Sequence, residues 1–495
     1  MTSRLTRARE LARNARFAAS FVLHALAEDP IRLARLAARR LAIARRARRH
    51  RPTPHSVVEP VETTPLPVKP AETTPPLTVL HHLTNSLPHT QSGYTLRSHA
   101  ILRAQQDAGL TVHATTRAGY PLTIGSLTAR HIDVVDHVAY ERLIPAAIRR
   151  DPARRLADAV GLLASAAERA GAQVIHATTP ATTGEVARGA AERLGLPWVY
   201  EVRGLPEETW AASHATPEER AAAESSAEYR ERRARETELA LAADAVVTLS
   251  DTMRDELVSR GVPAERIAVV PNAVPTALLD AEHPTMAQAR AALGLPVEGL
   301  MVGAVSSLVG YEGQDTILLA VAELRSRGLD ARALLVGDGV SRPALVALAA
   351  DLGLTLGEHA ILPGRVPPTT AATYVAALDV VMVPRRPDRV TRLVTPLKPV
   401  EAMAIGRPVV ASGLPALAEA CGGAGVLVAP DDVAAWAHAV ERLAKDPAYR
   451  RAVVNAGTHV AQARTWPNLI PTYLEVYSHA REASPDDAHR RQGSR

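Results

Sequence analysis

Short apolar runs alternate with longer stretches of helical period from residue 77 onward. Apolar runs of this length predict strands that are buried on both faces, and their alternation with helices is typical of parallel sheets. The predicted strands fall into two series along the chain. The first series covers 77–83, 110–117, 173–178, 198–202, 243–250 and 267–272, and the second covers 300–307, 333–337, 360–364, 380–384, 408–412 and 426–429.

The two series predict an α/β protein made of two Rossmann-like, doubly wound domains that face each other across a cleft. We place the first domain at 77–280 and the second at 281–460, followed by a helix at 461–480 and a disordered tail at 481–495. The segment 216–242 is polar almost all round, which predicts a solvated helix.

The first 51 residues are strongly basic. Residues 1–51 hold 14 Arg and three acidic residues, a local charge of 14 − 3 = +11, whereas the whole chain carries +5. Apolar and Arg side chains separate onto opposite faces over 31–48, which predicts a basic amphipathic helix. Such a helix fits an anionic membrane surface or bulk solvent, and a nucleic acid less well because Phe17 and Phe21 are its only aromatic neighbours. We favour the membrane surface and expect no nucleic-acid partner.

Two further segments near the N-terminus lack the pattern of a folded domain. Residues 17–27 are uncharged but shorter than the roughly 20 residues that span a bilayer. They also fit the apolar region of a signal peptide, although a second Arg-rich segment follows them. Residues 52–76 contain eight prolines. This composition predicts an extended spacer that reaches up to about 75 Å between the basic segment and the folded body.

The composition sets limits on the class of protein. The chain has 495 residues, of which 47% are hydrophobic and 22% are charged, as in ordinary globular proteins. Cys421 is the single cysteine, so an intrachain disulfide and a cysteine-based zinc cluster are excluded. A reducing, cytoplasmic location fits this cysteine content.

Candidate chemistry lies in loops that follow strands of the second series, because ligands of open parallel sheets bind beyond the carboxyl ends of strands. These loops contain Ser307 and Gly310, then Gly337 and Gly339, then Val366. We expect the glycines to permit close backbone approach to a ligand. No Asp-x-Asp follows a strand, so we expect neither an obligatory metal nor a cofactor.

The most informative loop is 384–408. Its cations flank a proline-marked helix start, and a cation cluster beside a helix N-terminus favours a diphosphate. Glu401, one turn into that helix, could accept hydrogen bonds from the vicinal hydroxyls of a ribose. The alternative for the arginines is a solvated surface. The cations are Arg385, Arg386, Arg389, Arg392 and Lys398.

Residues 401–412, Glu-Ala-Met-Ala-Ile-Gly-Arg-Pro-Val-Val-Ala-Ser, resemble the donor-site signature of glycosyltransferase family 4, retaining enzymes of the B-type fold. Four other segments resemble family motifs, and the resemblance extends from residue 77 to about 477. It implies that 461–480 crosses back to the first domain and that Gly93 belongs to a loop near the donor phosphates. The four segments are 92–97, 243–250, 269–274 and 335–339.

The resemblance also implies an acceptor-binding first domain and a donor-binding second domain. His176 and Arg203 then face the acceptor and the reacting carbon and count as catalytic candidates together with Lys398. A backbone-capping histidine and an Arg203–Glu201 ion pair are the plainer alternatives. The family usually has a glutamate where this chain has Leu393, and the usual Arg and Lys after the first strand of the second domain are absent.

As in variants of the family with Thr-Pro-x-Lys, which begins here at Thr395, we expect Lys398 and a nearby arginine (Arg385, Arg386 or Arg392) to neutralise the diphosphate. The sequence thus predicts a retaining glycosyltransferase that transfers a sugar from a nucleotide-diphosphate donor to a lipid-linked or glycan acceptor in cell-surface polysaccharide synthesis. It would act in the cytoplasm, on the inner face of the plasma membrane. A nucleotide-sugar epimerase, a phosphorylase-like enzyme and a non-catalytic sugar-nucleotide scaffold remain alternatives.

Overall fold

A computed structural model describes residues 2–28, 76–127 and 129–483 of the chain. The predicted basic helix over 31–48, all but the last residue of the proline-rich spacer, and the tail after residue 483 lie outside these residues.

The first sheet has eight strands in the order β3-β4-β2-β1-β5-β6-β7-β8. All neighbouring strands are parallel except the antiparallel pair β3 and β4. Six of the eight match the first predicted series. The strands are β1 (Thr78–Leu83), β2 (Thr111–Thr116), β3 (Ile132–Val135), β4 (Val138–Arg142), β5 (Val174–Thr178), β6 (Trp198–Val202), β7 (Ala245–Thr248) and β8 (Ile267–Val269).

The sequence analysis missed the hairpin formed by β3 and β4 at the edge of this sheet. Its two turn residues, Asp136 and His137, both have positive φ angles, 45° and 67°. Two-residue hairpin turns favour such angles, and glycine or asparagine usually marks them. Since this turn contains neither, its sequence gives only a weak hairpin signal.

The second sheet has six parallel strands in the order β11-β10-β9-β12-β13-β14. Each strand overlaps one of the second predicted series, so the predicted class of two Rossmann-like α/β domains is confirmed. The strands are β9 (Leu300–Val305), β10 (Ala331–Val336), β11 (Ala360–Gly364), β12 (Val380–Val383), β13 (Val409–Ser412) and β14 (Val426–Val428).

The α-helices connect these strands and cover the sheets. In chain order they are α1 (Thr2–Glu28), α2 (Gly93–Asp107), α3 (Pro152–Ala170), α4 (Ala181–Leu194), α5 (Pro206–Ala212), α6 (Pro217–Glu224), α7 (Ala227–Ala242), α8 (Asp251–Ser259), α9 (Thr276–Asp280), α10 (Met286–Leu293), α11 (Gln314–Ser326), α12 (Arg342–Asp351), α13 (Pro368–Ala376), α14 (Arg389–Leu393), α15 (Lys398–Ala404), α16 (Pro415–Cys421), α17 (Val433–Lys445), α18 (Pro447–Ala463) and α19 (Trp466–Ala483).

Both faces of each sheet are buried, which explains the continuous apolar strands. In the first sheet, Leu80 packs in one core cluster and its neighbour Val79 in the cluster on the opposite face. In the second sheet, Val302 and Met301 divide between two clusters in the same way. Because successive strand side chains point to opposite faces, this alternation shows that helices cover each sheet on both sides.

The segment 216–242 is not the single solvated helix that its polarity predicts. It divides into α6 and α7, and Ser226 caps α7 by accepting a hydrogen bond from the Tyr229 N–H at 3.1 Å. Tyr229 and Glu236 are buried against the rest of the first domain. The prediction of a solvated helix was wrong because buried protein groups, as well as water, can form hydrogen bonds with polar side chains.

The chain crosses between the domains twice, and the two crossings lie side by side. The Val274 N–H donates to the Arg464 carbonyl at 3.0 Å, next to a bridge between Val274 and Thr465. Helix α19 then packs on the first domain, where Tyr473 and Tyr477 are fully buried.

Helix α1 docks on the loop that follows β2. Phe17 is buried with Leu122 and Ile144, and the Asn14 side-chain amide donates to the Ala129 carbonyl at 2.9 Å. Its outer face is exposed and carries Arg9 and Arg16. Within the described residues, no helix combines the length and apolar character needed to cross a bilayer.

Candidate active site

A charge cluster lies beyond the carboxyl ends of β9 and β12 in the second domain. Glu312, in the loop after β9, receives the Arg385 guanidinium at 2.8 Å through one carboxylate oxygen and the Lys398 ammonium through the other. Arg385 follows β12, and Lys398 is the first residue of α15. The fold thus brings together two of the predicted donor-site cations and one carboxylate.

The charges of this cluster depend on one another. Burial alone would raise the pKa of Glu312, but Arg385 and Lys398 lower it to about 2. Burial lowers the pKa of Lys398, and Glu312 partly restores it. Two cations against one carboxylate give the cluster itself one excess positive charge at the start of α15, which Glu401 one turn later offsets in part when it is ionised. The Lys398 side chain retains about a fifth of its exposure. A diphosphate would meet this excess charge.

Glu401 differs from its neighbours because its carboxylate has no hydrogen-bond partner in the part of the chain that the structure describes. It is partly buried, one turn after Lys398. Burial raises the pKa of Glu401 to about 7, against a lowering contribution from Lys398. An acceptor that burial destabilises and no protein group satisfies is suited to hydrogen-bond donors on a ligand.

Three further predicted residues of the 384–408 loop bind other protein groups. The Thr395 carbonyl accepts from the Asn272 side chain of the first domain at 3.1 Å. Arg392 donates to the carbonyl of Pro387 in its own loop at 3.2 Å, and Arg386 pairs with Asp315 at 2.6 Å. In this arrangement neither arginine joins the charge cluster.

The predicted glycine loops lie at the same edge, but two of their glycines serve contacts within the protein. A Cβ atom at Gly337 would lie 1.8 Å from the Ser306 carbonyl oxygen, and one at Gly339 would lie 2.1 Å from that of Leu308. These glycines let the loops after β9 and β10 cross closely.

The other predicted loop residues differ in their surroundings. Gly93, the first residue of α2, and Gly310 have open space where a side chain would be. Ser307 is exposed, and Val366 packs against the second-domain core. Open space leaves room for a ligand at Gly93 and Gly310.

A second charge cluster lies inside the first domain, around Glu201 near the carboxyl end of β6. The Glu201 carboxylate is fully buried and accepts from Arg97 at 2.9 Å, from Arg203 at 2.6 Å and from Tyr473 of α19 at 3.1 Å. Burial would raise the pKa of this carboxyl, but Arg203 and Arg97 hold it well below the usual range. The Arg203–Glu201 ion pair, which the sequence left as an alternative, is therefore present.

His176 belongs to this buried cluster. Its Nε2 lies 3.2 Å from the Glu201 carboxylate, and its Nδ1 lies 2.7 Å from the Tyr477 hydroxyl. A carboxylate only accepts, so Nε2 carries the proton and Nδ1 accepts from Tyr477, whose oxygen accepts from Gln105 at 2.7 Å. Burial lowers the pKa of His176, against raising contributions from Glu201, and so favours the neutral ring. With no exposed surface and both ring nitrogens bonded, His176 does not reach the cleft; its predicted catalytic role stays a prediction.

A pocket of about 480 Å³ opens beside Arg203 in the first domain. Ten of its sixteen lining residues carry a hydroxyl or amide group, and Trp210 adds an aromatic ring. Its lining residues are Thr84, Asn85, Ser92, Tyr94, Thr95, Ser98, Thr178, Thr179, Pro180, Arg203, Gly204, Leu205, Pro206, Thr209, Trp210 and Ser213. Such a surface suits a polyhydroxylated ligand.

The pocket and the second-domain charge cluster face the same cleft. Tyr94, on the pocket wall, interacts electrostatically with Arg203 of the pocket and also with Tyr311 and Arg385 of the second domain. The cleft therefore presents a hydroxyl-rich pocket on one wall and a partly compensated cation cluster on the other.

Sequence reasoning missed two residues that organise these clusters. Glu312 stood out only as part of a departure from the family motif, and Arg97 only as the last residue of the glycine loop that contains Gly93. In the structure Glu312 joins Arg385 to Lys398, and Arg97 links Glu201 to Asn272 through a 3.3 Å hydrogen bond. Within the described residues, no group of three His, Cys, Asp or Glu side chains is arranged to hold a metal ion.

Comparisons with known proteins agree with this architecture. A family model of group 1 glycosyl transferases matches residues 299–446, and a glycosyl transferase 4-like domain matches residues 92–273. D-inositol 3-phosphate glycosyltransferase of Acidothermus cellulolyticus is 33% identical over 311 residues, 60% of this chain and 65% of the relative. The protein of the same name from Salinispora arenicola is 30% identical over 314 residues, 60% of this chain and 67% of the relative.

Solved structures show the same fold. Sucrose-phosphate synthase from Thermosynechococcus elongatus aligns with a TM-score of 0.64 and 22% identity, covering 82% of this chain and all of that one. HepE of Anabaena, solved with UDP, aligns with a TM-score of 0.61 and 19% identity over 81% of this chain and all of that one.

Two Rossmann-like domains facing a shared cleft define the B-type glycosyltransferase fold. The chain belongs to the group 1, family 4-like glycosyltransferases. Across eight curated relatives it spans 44% to 67% of their length.

Proposed function

We propose that this protein is a retaining glycosyltransferase that transfers a sugar from a nucleotide-diphosphate donor to a lipid-linked or glycan acceptor in cell-surface polysaccharide or glycoconjugate synthesis. The observation that carries the donor half is the arrangement at the start of α15. Lys398 and Arg385 supply charge for a departing diphosphate, and the unpartnered Glu401 carboxylate one turn later can accept from ribose hydroxyls. The Thr-Pro-x-Lys variant of the family motif is part of this proposal.

The pocket beside Arg203 is the proposed acceptor site. Its hydroxyl-rich wall can exchange hydrogen bonds with sugar hydroxyls, and its position across the cleft puts an acceptor opposite the donor. No metal or other cofactor enters the proposal, because the two cations can neutralise charge that develops on a leaving diphosphate.

The acceptor is proposed to lie at the inner face of the plasma membrane, with the basic residues 1–51 on the anionic surface. The exposed Arg9 and Arg16 of α1 support this part. Cosedimentation with anionic vesicles at low and high salt tests it, since salt screens such contacts. Equal binding by the full chain and by a chain lacking residues 1–76 would contradict it.

The donor proposal is tested by incubating the protein with UDP-, GDP- and ADP-sugars and measuring nucleotide release with and without glycan and lipid-linked acceptors. We expect release from one donor to rise when an acceptor is added and to persist in excess EDTA. A matched sample of the Lys398→Met variant should release little nucleotide.

Other outcomes would identify the alternatives. Epimerised donor without released nucleotide would indicate an epimerase, and binding without turnover across all acceptors would indicate a scaffold. Activity lost in EDTA and restored by magnesium or manganese would contradict the role of Lys398 and Arg385 as the diphosphate-neutralising groups.

A further inference from the structure

Helix α14 stands out because it belongs to the second domain but packs on the first. It lies in the loop between β12 and α15, between Arg385 and Lys398 of the proposed donor site. Leu393, which occupies the place of the usual family glutamate, and Val394 pack against the core cluster of the first domain. At this position an apolar interdomain contact replaces a carboxylate that could face a ligand.

Ion pairs reinforce the contact. The Arg389 Nε donates to Glu208 of α5 at 3.0 Å, and its Nη2 lies 3.6 Å from Glu256 of α8. Asp388 pairs with Arg220 of α6 at 3.3 Å. Each domain thus contributes a cation to one pair and an anion to the other, so the contact is specific in orientation as well as in charge.

Glu208 is a fixed partner for Arg389. Its side chain is fully buried, and it also accepts from the Tyr229 hydroxyl at 2.5 Å. A buried carboxylate left without its cation would be strongly destabilised, which gives the Arg389 contact more weight than an exposed surface pair.

The partner helix α5 is also a wall of the proposed acceptor pocket. Thr209 and Trp210 of α5 line the pocket, while Glu208 between them and α14 points to Arg389. On the donor side, the Val394 carbonyl, directly after α14, accepts from Arg385 at 2.9 Å. Contacts through α5 and α14 therefore connect the wall of the proposed acceptor pocket to Arg385 of the charge cluster.

We infer that Arg389 is a positioning residue, and that its contact with Glu208 holds the donor-site loop 385–395 against the acceptor domain in its binding-competent arrangement. The functional consequence rests on the proposed glycosyltransfer, since a nucleotide-diphosphate is the expected ligand. Loosening this contact should lower the fraction of molecules with a formed donor site, and apparent nucleotide affinity falls in proportion to that fraction.

The first experiment measures domain geometry without any ligand. Spin labels at Glu192→Cys in the first domain and Asp351→Cys in the second report the interdomain distance, and the native Cys421 is buried. We expect Arg389→Gln and Glu208→Gln each to broaden the distance distribution and to raise amide hydrogen exchange in α14 by about tenfold. The variant with both substitutions should show little further change in either measurement, because the two residues form one contact.

Arg327→Gln is the matched control. Arg327 makes two ion pairs, with Glu323 at 2.9 Å and with Glu441 at 3.1 Å, and both lie within the second domain at the end of α11 away from the cleft. It should leave the distance distribution, the exchange of α14 and nucleotide affinity at wild-type values.

A charge reversal separates positioning from general destabilisation. Arg220→Asp should loosen the contact through repulsion from Asp388, and adding Asp388→Arg should restore it, because the interdomain pair is rebuilt with opposite signs. Calorimetric titration with UDP should show about a tenfold loss of affinity in Arg389→Gln and in Arg220→Asp, and recovery in the reversed pair.

Wild-type distances and exchange in both Arg389→Gln and Glu208→Gln would overturn the inference. So would a reversed pair that stays as loose as Arg220→Asp alone. A wild-type protein that binds no sugar nucleotide would instead contradict the proposed function, and the ligand-free distances would still decide the role of Arg389.

Discussion

The two charge clusters of this protein use the same kinds of side chain in opposite ways. In the first domain, the buried Glu201 carboxylate lies between Arg97 and Arg203, and both of its oxygens accept from protein groups. In the second domain, Glu312 binds Arg385 and Lys398, but Lys398 stays partly exposed and the neighbouring Glu401 has no partner among the described residues.

The difference indicates that the first cluster is structural and that the second is suited to bind a ligand. Buried charges that are fully paired hold elements together, and here they join β5, β6, α2 and α19. A cluster with an unpaired acceptor and excess positive charge has interactions left for a ligand. Substitutions in the first cluster should therefore change stability, and those in the second should change binding and turnover.

The largest effect is expected for Glu201→Gln. It leaves Arg97 and Arg203 buried without their counter-charge, which should lower the free energy of unfolding of the first domain by about 3–5 kcal/mol. Because the folded-state pKa of Glu201 lies well below its ordinary value of 4.5, its contribution is present above that value and is lost as the pH falls.

Thermal or urea unfolding at neutral pH measures the Glu201→Gln effect, and a series of pH values below 4.5 measures its loss. The exposed Glu192, paired with Arg188 at 2.7 Å on one helix, provides the control, because Glu192→Gln should change stability by less than about 0.5 kcal/mol. Equal stability of wild type and Glu201→Gln at neutral pH would remove the contrast between the two clusters.

The next effect is on turnover. Lys398→Met should lower the turnover number by roughly 100-fold and change nucleotide affinity much less, since the ammonium acts mainly on charge that develops as the diphosphate leaves. The melting temperature should stay close to that of wild type because Arg385 still pairs with Glu312.

Steady-state kinetics with the identified donor, together with calorimetry, separates turnover from affinity for Lys398→Met. Lys445→Met is its control, as Lys445 is an exposed lysine that pairs with Glu441 within one helix. Unchanged turnover in Lys398→Met would mean that the second cluster is as structural as the first.

The sequence predicted the parts of this contrast that depend on local pattern. Apolar strands identified both sheets, and the segment around Lys398 and Glu401 was recognised from residues that lie within one loop and one helix. The hairpin at Asp136 was missed because its turn lacks glycine, and the partition of 216–242 was missed because buried polar groups resemble solvated ones in sequence.

Contacts between distant loops could not be read from the sequence. Glu312 meets Lys398 across 86 positions, and Arg389 meets Glu208 across 181. Nothing in the local pattern distinguishes an arginine that pairs across the cleft from one that bonds within its own loop. The sequence analysis therefore chose Arg392 as a donor-site candidate and did not choose Arg389, whereas the structure gives Arg389 the interdomain contact.

The smallest expected effect, and the most specific, concerns Glu401. Glu401→Gln should weaken nucleotide binding by about 1.5–3 kcal/mol, the range for a charge-assisted hydrogen bond, without lowering the melting temperature. Calorimetric titration with UDP measures the affinity.

The pH dependence gives this prediction a second readout. Burial raises the pKa of Glu401 to about 7, so the carboxylate that accepts from ribose hydroxyls predominates above that pH and becomes the minor form below it. Wild-type affinity should therefore fall by up to about tenfold from pH 8 to pH 6, and the Glu401→Gln variant should show a weaker dependence because it lacks that titration. Parallel pH profiles with equal affinities would show that Glu401 does not contact the nucleoside, and would leave its partly buried carboxylate without a ligand.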